Sequence, residues 1–364
     1  MKAIVYHNYG PPDVVKLEDI EKPTAADDEV LIKVRAASVN PVDRLYRGRP
    51  YLVRIKIGLS KPKDTRLGRD VSGVVEAVGT NVTQFKPGDE VFGTCSGALA
   101  EYACASESAF VMKPDNVTFE QAASVPIAGL TALQGLRDKG QLRPGQKVLI
   151  NGAAGGVGTF AVQIAKSFGA DVTGVCSTGN VDMVRSIGAD ATIDYTREDF
   201  TKRTERYDLI FDCISNHSLS ECRRVLNPNG KFVIVGGKKV RTLLSHALKG
   251  LVLSRFVSQS FVIFVARLRN EDLTILSDLM QAGKVTPVID RTYPLSEAPE
   301  AFRRLETGHA RGKVVITLDR AAERLERRRP GAPGARWENE PSLRERATAD
   351  AEQEIGIEEE RELR

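Results

Sequence analysis

The sequence has few of the residues that build metal centres and disulfide frameworks. Its 364 residues include five cysteines, four histidines and one tryptophan. The cysteines are scattered without a C-x-x-C pair, which is typical of a reducing compartment, and we expect a cytoplasmic location. The histidines show no ligand spacing, whereas a structural zinc site needs about four nitrogen or sulfur ligands. The sequence therefore predicts no bound metal.

Long apolar runs and a strong charge of one sign are also missing. No run approaches the roughly 18 apolar residues of a membrane-spanning helix, and residues 2–6 begin like a strand, not like a signal peptide. The net charge of +4 does not by itself indicate nucleic acid binding. Residues 44–66 are basic and partly apolar, so they could touch an anionic membrane. The interpretation we favour is a lid or strand edge with solvated charges.

The periodicity of the sequence changes near residue 125. Before it, short runs that alternate apolar and polar residues predict a β-rich domain over residues 1–124. After it, apolar runs alternate with helical patterns, which predicts a doubly wound parallel sheet over residues 125–287. Residues 320–364 are charged and poor in apolar side chains, so we expect a disordered tail there. A regulatory or partner-binding tail is the alternative.

A glycine-rich run, residues 151–158, lies between an apolar strand pattern and a helical pattern. In such a turn the backbone can approach a pyrophosphate, and the N–H groups that open the helix can bind it. The alternative is an ordinary glycine-rich turn of a parallel sheet. The residues assigned to the pyrophosphate contact are Gly155, Gly156, Val157 and Gly158.

The second strand of this region predicts the choice of dinucleotide. NAD-binding folds carry an acidic residue about 20 positions after the glycine loop, on the ribose 2′-OH. Here residues 176–180 hold no acid, and the hydroxyls of Ser177 and Thr178 can donate to phosphate oxygens. We therefore expect NADPH, although the two hydroxyls could instead cap the next helix. Gly236 and Gly237 end a later strand, and we expect them near the nicotinamide.

Five segments in register resemble the medium-chain dehydrogenase/reductase superfamily, within it the zinc-independent quinone oxidoreductase branch with its reticulon-4-interacting proteins. They are residues 38–43, 73–79, 86–91, 129–132 and 152–158. The resemblance implies a GroES-like catalytic domain, completed by residues 288–319, around a Rossmann domain. It also implies that Asn40 and Thr131 lie near the nicotinamide, and that Ser177 and Tyr195 lie beside a 2′-phosphate. We add His309 and Arg311 to the cofactor-binding residues.

Zinc-dependent relatives carry Gly-His-Glu where this chain has Gly68-Arg69-Asp70, and arginine cannot ligate a metal because it stays protonated. Without a Lewis acid, a conjugated acceptor is easier to reduce than an isolated carbonyl, since the added charge delocalises. The expected activity is therefore NADPH-dependent hydride transfer to quinones or α,β-unsaturated carbonyls. Candidate catalytic groups are Asn40, Thr131 and the phenol of Tyr46, with Tyr51 nearby; packing is the alternative for the tyrosines.

Two other functions stay open, an NADP-linked alcohol or carbonyl dehydrogenase and a non-catalytic NADPH-binding sensor or assembly protein. The β-prone run of residues 261–266 predicts an edge strand of the second sheet. An exposed edge of this kind invites pairing, and the resemblance implies that it pairs across a twofold axis. We therefore expect a homodimer.

Overall fold

The computed structural model of the protein describes residues 1–47, 54, 58–237 and 257–318. Tyr51, most of residues 240–258 and the predicted tail of residues 320–364 lie outside the described residues, as does part of the basic stretch 44–66. Within the described chain, no helix is long and apolar enough to span a bilayer.

A β-rich body occupies the first third of the chain. Its strands alternate buried and exposed positions or are buried on both faces, as their apolar patterns predict. They are β1 (Lys2–Tyr6), β2 (Val15–Asp19), β3 (Glu29–Val39), β4 (Asp70–Val78), β5 (Glu90–Thr94), β6 (Tyr102–Ser106) and β7 (Phe110–Met112). Strands β1 and β2 pair with each other, and β3, β4, β5 and β7 are consecutive neighbours in the larger sheet.

The second body has a sheet of six strands that all run parallel. They are β8 (Lys147–Asn151), β9 (Asp171–Cys176), β10 (Ala191–Asp194), β11 (Tyr207–Asp212), β12 (Leu226–Ile234) and β13 (Ser260–Ile263). Their order in the sheet is β10-β9-β8-β11-β12-β13, the doubly wound order of dinucleotide-binding folds. The order reverses between β8 and β11, and ligands of such sheets bind at that switch point.

The last two strands return to the first sheet. β14 (Ile289–Pro294) and β15 (Lys313–Thr317) pair in parallel, and β15 pairs antiparallel with β3. The first sheet therefore has seven strands drawn from both ends of the described chain. This return of the chain places β15, whose first residue is Lys313, between β14 and β3.

Helices cover both sheets and connect them. The α-helices of the described residues are α1 (Pro41–Tyr46), α2 (Phe119–Ala123), α3 (Pro126–Gln134), α4 (Gly156–Ser167), α5 (Val181–Ser186), α6 (Leu219–Arg224), α7 (Asn270–Gln281) and α8 (Ala298–Glu306). Helix α4 packs in the main apolar core with Phe160, Ala161 and Ile164 fully buried. Its amphipathic pattern is the one that the sequence predicts after the glycine loop.

The predicted fold class, a GroES-like β-rich domain with a Rossmann domain, is confirmed. The predicted strand over residues 261–266 is right at its start and wrong over residues 264–266, because β13 ends at Ile263. The Arg267 N–H donates to Gln134 Oε1 (2.9 Å), and Gln134 Nε2 donates to the Arg267 carbonyl (2.7 Å). The buried amide of Gln134, on α3, thus hydrogen-bonds to both backbone polar groups of Arg267.

Candidate active site

The glycine loop turns directly from β8 into α4. Gly155 is the N-cap of α4, in an extended conformation (φ −84°, ψ 174°) and with no side chain over the helix end. The first N–H groups of a helix have no intrahelical acceptor and carry the positive end of its dipole. Gly155, Gly156 and Val157 are half-exposed. The loop therefore presents backbone donors to the crevice at the switch point.

Two positions of the loop require glycine, one because of its backbone conformation and one because of a close backbone contact. Gly152 has a φ of +86°, which favours glycine. A Cβ on Gly158 would lie 2.1 Å from the Gly152 carbonyl oxygen. A Cβ on Gly155 has that same oxygen as its nearest neighbour, at 3.4 Å. A loop this tight, open at Gly155 and lined by N–H donors, fits a diphosphate.

The hydroxyl loop after β9 lies next to Arg311. A Cβ on Gly179 would lie 3.3 Å from Arg311 Nη2, so a guanidinium that is distant in sequence supplies the cation absent from residues 176–180. Ser177 accepts a hydrogen bond from Asn180 Nδ2 (3.0 Å) and keeps its own hydrogen to donate. Neither Ser177 nor Asn180 makes a side-chain cap bond. Tyr195 is 56% exposed after β10.

Thr178 differs from the expectation drawn from the sequence. Strands β9 and β10 pair Cys176 with Asp194, which brings the Asp194 carboxylate to Thr178. Thr178 Oγ1 donates to Asp194 Oδ2 at 2.5 Å, and this bond is the first cause of the lowered pKa of Asp194. The Thr178 hydrogen is therefore engaged. The sequence did not reveal this acceptor, because only the register of β9 and β10 brings Asp194 to Thr178; donation from Thr178 to a phosphate stays a prediction.

His309 lies apart from these contacts. It is exposed, its N–H donates to Thr307 Oγ1 (3.2 Å), and its carbonyl accepts from Arg304 Nη2 (3.1 Å). Its assignment to the cofactor stays a prediction.

The loops after β11 and β12 meet at the same edge of the sheet. Asp212 Oδ1 accepts from the Ser215 N–H and from Asn151 Nδ2, both at 2.9 Å, and burial raises the pKa of this carboxyl. Ser215 Oγ donates to the Gly236 carbonyl (2.6 Å). A Cβ on Gly236 would lie 2.5 Å from the Cys213 carbonyl oxygen. Gly236 is thus required by backbone contact, and Gly237 beside it is exposed.

A buried polar network joins the first sheet to α3. Asp70 Oδ2 accepts from Ser38 Oγ (3.0 Å), Asn40 Nδ2 (2.9 Å) and Lys313 Nζ (3.2 Å). Asp70 Oδ1 accepts from the Ile127 N–H (3.0 Å) at the start of α3. Asp70 and Lys313 are a buried ion pair, and each is held by further hydrogen bonds, as such pairs require.

Asn40 belongs to this network. Its Oδ1 accepts from Lys313 Nζ (2.6 Å), and its Nδ2 donates to Asp70 Oδ2 and, at 3.3 Å, to the Ser38 carbonyl. Its side chain is buried and its donors are occupied. We predicted Asn40 as a catalytic group near the nicotinamide; in the structure its side chain hydrogen-bonds to Lys313 and Asp70.

Lys313 extends the network to the glycine loop. The Gly312 N–H donates to the Ala154 carbonyl (2.8 Å), and Gly312 forms a bridge with Gly155. A Cβ on Gly156 would lie 3.1 Å from Lys313 Cδ. The Lys313 side chain therefore connects the glycine loop with the buried polar network of Asn40 and Asp70.

Next to this network, Arg69 and Tyr46 form a pair. Arg69 Nη2 donates to the Tyr46 hydroxyl oxygen at 2.6 Å, and the guanidinium carbon lies 4.7 Å from the centre of the Tyr46 ring. Both side chains are half-buried. Thr131, the third predicted catalytic residue, donates its hydroxyl to the Ile127 carbonyl of its own helix (2.7 Å), so it can accept a hydrogen bond but not donate one.

The chain is similar over most of its length to known oxidoreductases. The family profile of the alcohol dehydrogenase GroES-like domain matches residues 26–115, and the profile of the zinc-binding dehydrogenases matches residues 187–316. An NADPH-dependent alkenal/one oxidoreductase of Arabidopsis thaliana chloroplasts is 37% identical, over 87% of this chain and 79% of the relative. The mitochondrial NAD(P)H oxidoreductase RTN4IP1 of Homo sapiens is 36% identical, over 87% and 89%.

Among solved structures, the quinone oxidoreductase from Coxiella burnetii superposes with a TM-score of 0.77 at 34% identity, and the match covers 88% of this chain and 99% of that one. The chain belongs to the quinone oxidoreductase branch of the medium-chain dehydrogenase/reductase superfamily. In this oxidoreductase, the described residues contain no cluster of three or more histidine, cysteine or acidic side chains that could hold a metal.

Sequence reasoning missed Lys313, Asp194 and the role of Arg69 in this oxidoreductase. The role of Lys313 is weakly indicated by the sequence, because a lysine at the start of an apolar strand is expected to need an acidic partner. Asp194 had none until the register of β9 and β10 was known. We considered Arg69 only as a residue that cannot bind zinc, although an arginine at the position of a metal ligand can also supply positive charge and hydrogen-bond donors.

Proposed function

We propose that the protein is an NADPH-dependent, metal-free oxidoreductase that transfers hydride to quinones or α,β-unsaturated carbonyls. The observation that carries the proposal is that one hydrogen-bond network, around Lys313, connects the glycine loop with the buried polar residues of the first sheet. The glycine loop at the switch point suits a dinucleotide, and Lys313 links it to Asn40 and Asp70. Arg69, adjacent to Asp70 in sequence, bonds to the Tyr46 phenol.

The residues that would hold the dinucleotide lie along the carboxyl edge of the parallel sheet. The N–H groups of Gly155, Gly156 and Val157 would bind its diphosphate. The hydroxyl of Ser177 and the guanidinium of Arg311 would face a 2′-phosphate, and a guanidinium pairs well with phosphate. When bound, the dinucleotide supplies the hydride. The name of the Arabidopsis relative also favours NADPH.

The acceptor side favours a conjugated carbonyl. Arg69 stands where zinc-dependent relatives carry a ligand histidine, so this position contributes a fixed positive charge and hydrogen-bond donors. Donors of this kind stabilise negative charge that develops on an oxygen. The relatives named as alkenal/one and quinone oxidoreductases support the same acceptor class.

Steady-state oxidation of NADPH tests the proposal. We expect turnover with 1,4-benzoquinones and with small enones, and no turnover with saturated aldehydes under the same conditions. Protein that has been treated with a metal chelator should keep full activity. NADPH that binds but is not oxidised with any acceptor would support the non-catalytic alternative, and activity lost with a chelator would refute the metal-free mechanism.

We also propose a homodimer joined through β13 and a cytoplasmic location. Strand β13 is at the edge of its sheet and half-exposed on both faces. Val265 and Leu268, just after it, are 89% and 56% exposed. A cavity of about 320 Å³ lies against the same segment, with Phe264, Val265 and Arg267 in its wall. An exposed apolar edge of this kind favours a partner.

A further inference from the structure

Arg69 forms no ion pair with the residues that the structure describes. The adjacent carboxylate, Asp70, is already bonded to Ser38, Asn40, Lys313 and the Ile127 N–H. Within the described residues, the hydrogen bond of the Arg69 guanidinium is the one to Tyr46. A guanidinium has five N–H donors and does not lose its proton in proteins. Most of these donors therefore have no acceptor among the described residues.

The direction of the Arg69–Tyr46 bond fixes the role of the phenol. Arginine has no acceptor atom, so the Tyr46 oxygen must accept in this bond. Among the described residues the hydroxyl hydrogen of Tyr46 has no acceptor, so it can donate to a third group. Stacking of the guanidinium on the ring, with 4.7 Å from its carbon to the ring centre, keeps the two groups in this orientation.

Hydrogen bonds fix the backbone at both residues of the pair. The Tyr46 carbonyl accepts from the Tyr6 hydroxyl (2.9 Å), and the Arg69 carbonyl accepts from the Cys95 N–H (2.9 Å). The two side chains therefore have fixed starting points on α1 and just before β4. A pre-positioned donor costs little reorganisation when charge develops on a nearby oxygen.

We infer that Arg69 is a positioning residue for acceptor reduction, one that holds Tyr46 as the proton donor to the carbonyl oxygen of a quinone or enone. The inference rests on the proposed function. Hydride addition forms a C–H bond on the acceptor and moves two electrons into it, so that its carbonyl oxygen becomes negative while NADPH is oxidised. Tyr46 gives its proton to that oxygen. Arg69 stabilises the resulting phenolate, which takes a proton back from water.

The first test uses the variants Arg69→Gln, Arg69→Lys and Tyr46→Phe. We expect Arg69→Gln and Tyr46→Phe each to lower kcat about 10- to 100-fold, with NADPH affinity unchanged in a fluorescence titration. Arg69→Lys should recover part of the loss, because lysine also carries a charge and a donor. The double variant Arg69→Gln/Tyr46→Phe should be no slower than Tyr46→Phe alone, since Arg69 acts through the phenol.

Arg66→Gln is the matched control. Arg66 lies three residues away, is exposed and pairs with Asp64 instead of Tyr46. It should keep the kcat of the unaltered protein, and unchanged NADPH binding shows that each variant is folded.

The second test measures binding of 4-nitrophenolate, an oxyanion probe, to the protein loaded with NADP⁺. Its absorbance band reports the ionised form directly. We expect Arg69→Gln to weaken binding of the phenolate about tenfold, and Arg69→Lys to restore most of it. A purely structural role of Arg69 would leave this affinity unchanged.

The outcomes separate the inference from the proposed function. An active protein whose Arg69→Gln variant keeps its kcat and its phenolate affinity overturns the inference alone. Additive losses in the double variant overturn it as well. An unaltered protein that binds NADPH and reduces no acceptor overturns the proposed function and, with it, the inference.

Discussion

Asp43 carries a carboxyl group whose surroundings disfavour its charge. It is buried in α1, and burial raises its pKa from 3.8 to about 7, with Asp70 adding to the shift. Its Oδ2 accepts from the Asn40 N–H (2.7 Å), whereas its Oδ1 has no hydrogen-bond partner among the described residues. The folded protein therefore holds this carboxyl protonated at pH values where an unfolded chain has lost the proton.

This difference predicts a pH dependence of stability. Between about pH 4 and pH 7 the unfolded state binds fewer protons than the folded state, so the free energy of unfolding falls as the pH rises. For Asp43 we expect a loss of about 2 to 3 kcal/mol between pH 5 and pH 8. Urea unfolding at both pH values should show that Asp43→Asn removes this part of the slope.

The exposed Asp115→Asn variant is the control for that measurement and should keep the slope of the unaltered protein. Equal slopes for Asp43→Asn and the unaltered protein would mean that Asp43 is ionised in the folded state.

The glycine loop allows packing and binding to be separated with two alanine variants. In Gly158→Ala the new Cβ would lie 2.1 Å from the Gly152 carbonyl oxygen, which is backbone and cannot turn away. We expect this variant to lose about 2 kcal/mol or more of stability. Gly155→Ala meets nothing closer than 3.4 Å and should keep its melting temperature, but it should bind NADPH more weakly because its methyl group faces the diphosphate. Weak binding without any loss of stability in Gly158→Ala would contradict the packing argument.

Arg311 allows a test of the choice of dinucleotide. Its Nη2 lies beside Gly179, and a charge-assisted hydrogen bond to a phosphate contributes about 1.5–3 kcal/mol. We expect Arg311→Gln to weaken NADPH binding about tenfold and to leave NADH binding nearly unchanged, as measured by fluorescence titration. Arg303→Gln, whose guanidinium pairs with Asp13 and Glu300, is the control. Equal losses for both nucleotides would show that Arg311 does not contact the 2′-phosphate.

Among the elements, the parallel sheet was the most predictable part of the molecule. Its strands are short apolar runs, and each is separated from the next by a helix or a loop, so their type and order follow from local pattern and from the rules of parallel crossovers. The end of β13 was not predictable in this way. After the strand ends, Gln134, which is 133 residues away in sequence, hydrogen-bonds to both backbone polar groups of Arg267, and local pattern does not reveal such a contact.

The exposed edge of β13 predicts how the proposed dimer forms. Among the described residues, Phe261, Val262 and Ile263 pair with β12 on one side only, and an antiparallel partner would satisfy the other side. We expect Ile263→Lys to weaken the dimer by placing a charge at its centre, and Ile263→Pro to weaken it by removing a backbone donor. Light scattering at micromolar concentration measures the mass. An unaltered protein that is monomeric there would refute the dimer.

At the scale of the whole molecule, the contacts that sequence reasoning missed are those that span the chain. Lys313 is 273 residues from Asn40 and 243 from Asp70, and no periodicity relates such positions. The resemblance implied that Asn40 and Thr131 lie near the nicotinamide, and this stays a prediction. It could not tell that their donors are occupied within the protein, because that depends on which partner each buried polar atom finds.

The contacts of the last strand predict where the folded body ends. Strand β15 is buried throughout and pairs with β14 and β3. The Leu318 N–H donates to the Arg35 carbonyl (2.9 Å). Residues 320–364, which lie outside the described residues, contain ten arginines and twelve acidic residues and little that could form a core. We therefore expect a chain cut after residue 319 to keep its melting temperature and its NADPH affinity. Limited proteolysis of the full chain should cleave first between residues 327 and 336. A truncated chain that melts more than about 5 °C lower would show that the tail stabilises the body.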